Sequence, residues 1–305
     1  MPKPPETFIN ELFLTQTPRY KLKIPQKNSD SVGINLANKV RLIHMNQDLP
    51  QVAVLFPVHN WSIYADEAMK SLIQQDYENF TILFLDNSPD GIDKSKWNYS
   101  KKICYLRLDP NSGLSNSLNY GIKYSDAEYL IRMDYDDVCA LNRISRQVLY
   151  MEKNKKIGIS GTSVNLITEN FSKTISLAHN PILNTEIRKY LIHKNPLFHP
   201  SVIFRRSNII KANLFYNSKY DGAEDLELWT RAIKSGVLIS NCEEILLHYR
   251  IYPNQTSKNL KFNTDKLAQK IRIRYIIWLI FNDRRLSLYA LKSLKQIISN
   301  AIKNY

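Results

Sequence analysis

The chain has 305 residues, 44% of them hydrophobic, and a formal net charge of +14. That composition supports one large or two small globular domains and excludes a disordered or fibrous protein. The charge suits a polyanionic partner, whether nucleic acid, an anionic membrane surface or a phosphorylated substrate, and much of it lies in the last fifty residues, where eleven Lys/Arg face only Asp265 and Asp283.

Cys104, Cys139 and Cys242 stand far apart, without zinc-type spacing or an even count, so a reduced, cytoplasmic setting is expected. No signal-like apolar run opens the chain. The longest apolar run elsewhere, YIIWLIF at 275–281, is far short of the roughly 20 residues that span a bilayer.

Residues 1–50 are polar and aperiodic and read as an N-terminal extension. From Val52 the texture changes. VAVLFP and FTILFL are short runs rich in β-branched and aromatic residues and predict buried strands, with a helix between them over DEAMKSLIQQ. ICYLRL, a helix over about 114–124 and EYLIRM repeat the unit, which predicts an α/β fold with a mostly parallel sheet and ligands beyond the carboxyl ends of its strands. Three strand ends then carry polar residues to one rim: Pro57, Val58, His59 and Asn60; Asp86, Asn87 and Ser88; Asp134, Tyr135, Asp136 and Asp137. A helix follows over about 140–154. After it, GISGTSVNLI, KTISLA, SVIFRR and LHYRI predict strands, AEDLELWTRAIKSG an amphipathic helix closed by Gly236, and the chain beyond Thr264 two basic helices. In the second of these, Leu286, Ala290, Leu294, Ile297 and Ala301 make one apolar stripe.

DYDD at a strand end is the sharpest feature. Hard divalent cations take carboxylate oxygens, and Mg²⁺ or Mn²⁺ commonly uses one or two carboxylates plus substrate phosphates. An acidic loop capping the next helix explains the same residues. Asp86 could accept from a base or ribose, or serve as a turn residue. NSGLSNSLNYGI, with Asn111 and Gly113 at a helix start, suits either an anion or close helix packing. Glu224 and Asp225 open a helix, where negative charge is favourable, and either could be a general base. Among the histidines, which show no metal-type spacing, His199 stands out in NPLFHPSVIFRRS. Trp229 reads as core or as an acceptor platform.

In this order these pieces resemble glycosyltransferase family 2, inverting nucleotide-sugar transferases of the GT-A fold. The resemblance spans about 52–257 through VAVLFPVHN, SLIQQDYENFTILFLDNS, NSGLSNSLNYGI, YLIRMDYDDV, HPSVIFRRS, AEDLELWTRAIKSG and YRIYPNQTS. It implies a GT-A domain over 51–257, with a nucleotide-sugar half to about 150 and an acceptor half beyond, and a C-terminal helical extension over 258–305. Its latter half is similar to bacterial enzymes that extend lipopolysaccharide, O-antigen or capsule chains.

Carried onto this chain, the resemblance implies a nucleotide-sugar site from Pro57, Val58, Asn60, Asp86, Asn111, Gly113, Asp134, Tyr135 and Asp137, with Asp86 on the uracil side. It implies a divalent cation, Mn²⁺ or Mg²⁺, on Asp136 and Asp134, Asp225 as the base with Glu224 beside it, and an acceptor near His199 and Trp229. Two departures stand out. The family's D-D-G-S is here Asp86, Asn87, Ser88, Pro89, and Tyr252 stands where related enzymes often have His, leaving His248 or water to complete the metal shell. The expected partners are a UDP-linked sugar donor, a glycan or lipid-linked acceptor and an anionic membrane surface under the C-terminal helices, giving a peripheral location at the inner face. Nucleic acid is not expected. A silent GT-A scaffold or a polyanion-binding protein is the alternative.

Overall fold

In the computed structural model the described residues are 49–93, 95, 100–171, 173–253 and 261–303. Apart from Leu49 and Pro50, the expected N-terminal extension lies outside them, as does the end of the YRIYPNQTS segment.

Strands β1 (Val52–Val58), β2 (Phe80–Asp86) and β3 (Ile103–Arg107) are parallel neighbours, and β1 and β2 are almost wholly buried. Near-continuous apolar runs are what a parallel sheet covered on both faces requires. Helix α1 (Ile63–Ile73) buries Ala65, Ala68, Met69 and Leu72, and α2 (Gly113–Tyr124) buries Leu118 and Ile122. A Cβ on Gly121 would stand 2.8 Å from a methyl of Leu55 and 3.0 Å from one of Leu85, so α2 lies on β1 and β2 at a distance only glycine permits.

Strand β4 (Tyr129–Arg132) pairs parallel to β1 on the side away from β2. The order β3-β2-β1-β4 therefore reverses at β1, and a crevice opens beyond the carboxyl ends of β1 and β4. Asp134 leaves β4 at that point.

The rest of the sheet is mixed. Two-residue β5 (Val138–Cys139) runs antiparallel to β9 (Leu238–Ile251), while β6 (Ile157–Thr168) lies parallel to β9 and antiparallel to both β7 (Thr174–Ala178) and β8 (Ile203–Arg205). β8 in turn is antiparallel to β4, so the mostly parallel sheet expected from the sequence gains antiparallel pairings beyond β4. The separate LHYRI strand is the end of the fourteen-residue β9, and HPS forms a single 3-10 turn, His199–Ser201.

Helices α3 (Arg143–Lys153), α4 (Asn184–Tyr190), α5 (Arg206–Lys211), α6 (Glu224–Lys234), α7 (Lys261–Asn282) and α8 (Ser287–Lys303) follow in the chain, with a second 3-10 turn at Ser218–Tyr220. Leu55 and Leu85 of the first strands, Trp229 of α6 and Ile271, Tyr275 and Leu279 of α7 belong to one apolar cluster. Of the expected stripe, Leu286, just before α8, and Ala290 enter that cluster, with Leu294 and Ile297 packed against it.

Candidate active site

Arg132, the last residue of β4, is 3% exposed, and its guanidinium donates to Asp134 Oδ2. Burial by itself would weaken the cation, but Asp134 and the neighbouring Tyr216 and Glu224 hold its pKa above the ordinary value. One oxygen from each of Asp134, Asp136 and Asp137 falls within 4.8 Å of the others. Helix α3 starts only at Arg143, beyond β5, with Asn142 at its cap position, so the aspartates do not cap it.

Each carboxylate of the cluster is held differently. Asp136 Oδ2 accepts from the Tyr252 hydroxyl at 2.9 Å. Burial and the neighbouring Asp134 raise its pKa to about 6. Asp137 is 1% exposed; its Oδ1 accepts from the Arg250 backbone N–H at 2.9 Å, and its Oδ2 has no hydrogen-bond partner. Burial and the Asp136 charge push its pKa well up. The Arg250 side chain turns away from those oxygens, donating to the Asp136 carbonyl and to Glu67 and lying 4.7 Å from the Tyr64 ring centroid.

A buried acceptor without a donor is costly, and three converging acidic oxygens repel one another. Both conditions fit an oxygen-preferring divalent cation such as Mg²⁺ or Mn²⁺. His248 lies outside the three-carboxylate group: it sits on β9 opposite Val138, with Nδ1 3.2 Å from Asn165 Nδ2 and its ring against Phe171. Burial lowers its pKa to about 4. The residue that touches the cluster from this strand's end is Tyr252.

Another side of the crevice is built around Asp86. Its carboxylate is 0% exposed and accepts from five donors: the Ser88 N–H and hydroxyl and Arg107 on Oδ1, and the Ile92 N–H and the Tyr105 hydroxyl on Oδ2. Burial works to raise its pKa, but these hydrogen bonds outweigh it and leave the pKa below the ordinary value. A carboxylate has about four lone-pair sites. Asp86 therefore has none left for a base and instead folds the 88–93 loop, which with Asn60 and Trp61 lines a 260 Å³ depression. The Trp61 ring stacks on Phe84 at 5.8 Å. Pro57 and Val58 are buried in β1, and the Val58 carbonyl accepts from the Asn87 N–H at 3.1 Å. We expect Asp86→Ala to strand the loop's donors and cost about 2–4 kcal/mol, read by urea denaturation, with weaker donor binding from the loosened loop.

The start of α2 packs against the 216–221 segment. Asn111 (φ 61°) donates its N–H to the Asn87 carbonyl, and Gly113 (φ 80°) leaves the space into which Asp221 reaches. Asp221 accepts from the Ser115 hydroxyl, and Asn119 exchanges two hydrogen bonds with the Tyr216 backbone at 2.8 and 2.7 Å. This region docks the 216–221 segment, the close packing that the sequence offered beside an anion at Gly113.

The chain just after that segment presents the second acidic pair. Asp225 Oδ2 accepts from Asn195 Nδ2 at 2.5 Å, and burial raises the Asp225 pKa. Glu224 Oε2 accepts from the Gly222 N–H at 2.7 Å, while its Oε1 lies 3.7 Å from His199 Nδ1. Burial and the adjacent Asp225 raise the Glu224 pKa to about 7. His199 Nε2 meets the Tyr216 hydroxyl at 2.8 Å, and burial together with the Arg132 charge keeps the imidazole neutral. Trp229 is 0% exposed between His199 and Phe204, so it packs the core and has no surface to offer an acceptor.

Residues 53–213 match the family model described as Glycosyl transferase family 2. The chain belongs to glycosyltransferase family 2. An uncharacterized glycosyltransferase of Haemophilus influenzae is 30% identical over 74% of this chain and 73% of its own length. The O-antigen biosynthesis glycosyltransferase WbnJ of Escherichia coli is 30% identical over 69% and 84%, and the amylovoran biosynthesis glycosyltransferase AmsE of Erwinia amylovora is 27% identical over 65% and 74%. Among solved structures, S. aureus TarS 1-349 in complex with UDP-GlcNAc superposes with a TM-score of 0.62 at 15% identity, covering 81% of this chain and 71% of that one. That likeness carries the GT-A fold.

The family match stops before Glu224 and Asp225. Sequence reading passed over Arg132, Asn195, Tyr216 and Trp61. Arg132 carried a signal: a lone cation inside the apolar YLIRM must be buried, and a buried cation needs acids nearby. Asn195 and Tyr216 carried none, because their partners are distant in the chain.

Proposed function

We propose that this family 2 enzyme moves a hexosyl or N-acetylhexosaminyl group, with inversion, from a UDP-linked sugar to a glycan or lipid-linked acceptor in bacterial surface polysaccharide synthesis. The observation that carries the reading is the pairing of two acidic sets around one buried cation: Asp134, Asp136 and Asp137 on one hand, Glu224 and Asp225 on the other, with Arg132 electrostatically coupled to both. The O-antigen and amylovoran relatives support the product class. TarS structures in complex with UDP and UDP-GlcNAc support the donor class.

Asp134, Asp136 and Asp137 would hold the divalent cation, which supplies positive charge against the departing diphosphate. Asp225 takes the proton from the acceptor hydroxyl, whose oxygen bonds to the anomeric carbon as the bond from that carbon to the diphosphate oxygen breaks. A raised pKa suits this role, since a base nearer neutrality accepts a proton more readily. Asn195 orients the Asp225 carboxylate. Tyr252 fixes Asp136, and the 88–93 loop with Trp61 offers a face to the base.

The test is release of nucleoside diphosphate from UDP-, GDP- and dTDP-sugars with Mn²⁺, Mg²⁺ or EDTA, with oligosaccharide and lipid-linked acceptors supplied. We expect cation-dependent turnover of a UDP-sugar and a fall of about 10³-fold in Asp136→Ala. Absence of turnover with every donor would favour the silent scaffold.

A further inference from the structure

Among the described residues fourteen large hydrophobics are exposed, and five of them, Ile277, Phe281, Leu288, Tyr289 and Leu291, crowd into the hairpin formed by α7 and α8. Phe281 is 80% exposed and Leu288 75%, on either side of the turn. Between them the turn exposes Arg284 and Arg285. The turn's one acid, Asp283, is neutralised by Arg188 at 2.6 Å.

The arrangement is graded along both helices. On α7, Lys270, Arg274, Ile277 and Phe281 are exposed at helical spacing, running from basic to apolar toward the turn. On α8, Leu288, Lys292 and Lys295 repeat the order in reverse. The inner faces, with Tyr275, Leu279, Leu286 and Ala290, are already committed to the core. No helix among the described residues is long and apolar enough to cross a membrane.

We propose that the α7–α8 turn is a membrane-docking tip that seats on an anionic bilayer surface, with Phe281 and Leu288 entering the headgroup boundary and Arg284, Arg285, Lys292 and Lys295 meeting lipid phosphates. Apolar residues at the tip with cations around and behind them match the interface of a bilayer, where depth and charge change together. A nucleic acid would use the cations and leave the tip unburied. None of these tip residues belongs to the acidic site, and the proposal is independent of the donor chemistry.

The test is flotation of the full chain with phosphatidylcholine vesicles and with vesicles containing phosphatidylglycerol. We expect binding to the anionic vesicles alone, weakened by salt, and reduced about tenfold or more in Phe281→Ser/Leu288→Ser and in Arg284→Glu/Arg285→Glu. Sugar-nucleotide turnover on a soluble acceptor stays at the wild-type level in both double variants, which also shows that they fold. No flotation, equal binding to phosphatidylcholine, or variants that float like wild type would overturn the proposal. So would a dimer in light scattering that Phe281→Ser/Leu288→Ser dissociates, because a second copy would then cover the tip.

Discussion

Asp225→Asn is expected to abolish most transfer while leaving donor binding intact, a fall of about 10²–10⁴-fold in kcat, the span that a positioned general base supplies. The substitution keeps the shape of the side chain, and its amide oxygen can still accept from Asn195, which now bonds Asp225 Oδ2 at 2.5 Å. What it removes is the ability to take a proton, together with one acceptor, since Asp225 Oδ1 also accepts from the Leu226 N–H at 2.6 Å and the amide cannot serve both donors. Calorimetric titration with the UDP-sugar should give an unchanged Kd, and single-turnover transfer should give the loss. A small effect on transfer would move the base to Glu224, whose pKa of about 7 also suits the task. Glu224→Gln is the paired measurement: the Gly222 N–H keeps its acceptor there, so a loss as deep as that of Asp225→Asn would count against the assignment.

Arg132→Met should be the most damaging single change to the fold around the site. Arg132 is buried, its guanidinium holds Asp134, and its charge offsets the raised pKa values of Asp136, Asp137, Glu224 and Asp225. Removing one partner from a buried ion pair costs about 3–5 kcal/mol, because the remaining charge has lost its compensation. The cost should depend on pH. A carboxyl group whose folded-state pKa lies above its unfolded value binds extra protons when folded, so it subtracts stability as pH rises through that interval. Asp136 at about 6 and Glu224 at about 7 already behave this way, and without Arg132 both should rise further. Urea denaturation of wild type and variant should therefore diverge from about pH 5 to pH 8, with Mn²⁺ recovering part of the difference by binding the aspartate cluster. Arg132→Lys keeps the charge and loses the fork, and should fall between the two. Equal stability of Arg132→Met and wild type across that range would mean that the carboxylates do not depend on this cation.

Much of the fold was legible because it is written in local spacing. Unbroken apolar runs marked β1, β2 and β4, and the helical period of Leu114, Leu118 and Ile122 marked α2. The two-residue β5 was not legible, since Val138 and Cys139 form a strand only by pairing with Leu247 and His248 more than a hundred positions away. The same limit separated two readings of DYDD. Whether the three aspartates cap a helix depends on where α3 begins, and β5 decides that.

The roles of single acids divide similarly. Asp86 at the end of a strand was visible as a polar residue delivered to the ligand rim, but its five donors come from a loop and from β3, so only the folded chain shows its carboxylate fully occupied. Trp229 had one spacing compatible with both surface and core, and burial against Phe204 settled it.

By itself, then, the sequence determined the alternation of strands and helices and the rim onto which acidic residues are delivered, because hydrophobic burial acts on side chains at short, regular separations. Only the tertiary structure decided which charges face one another. Coulomb energy and desolvation depend on distance and burial in space, and the fold alone brings Asp136 to Tyr252, Asp225 to Asn195 and Arg132 into electrostatic reach of both acidic sets.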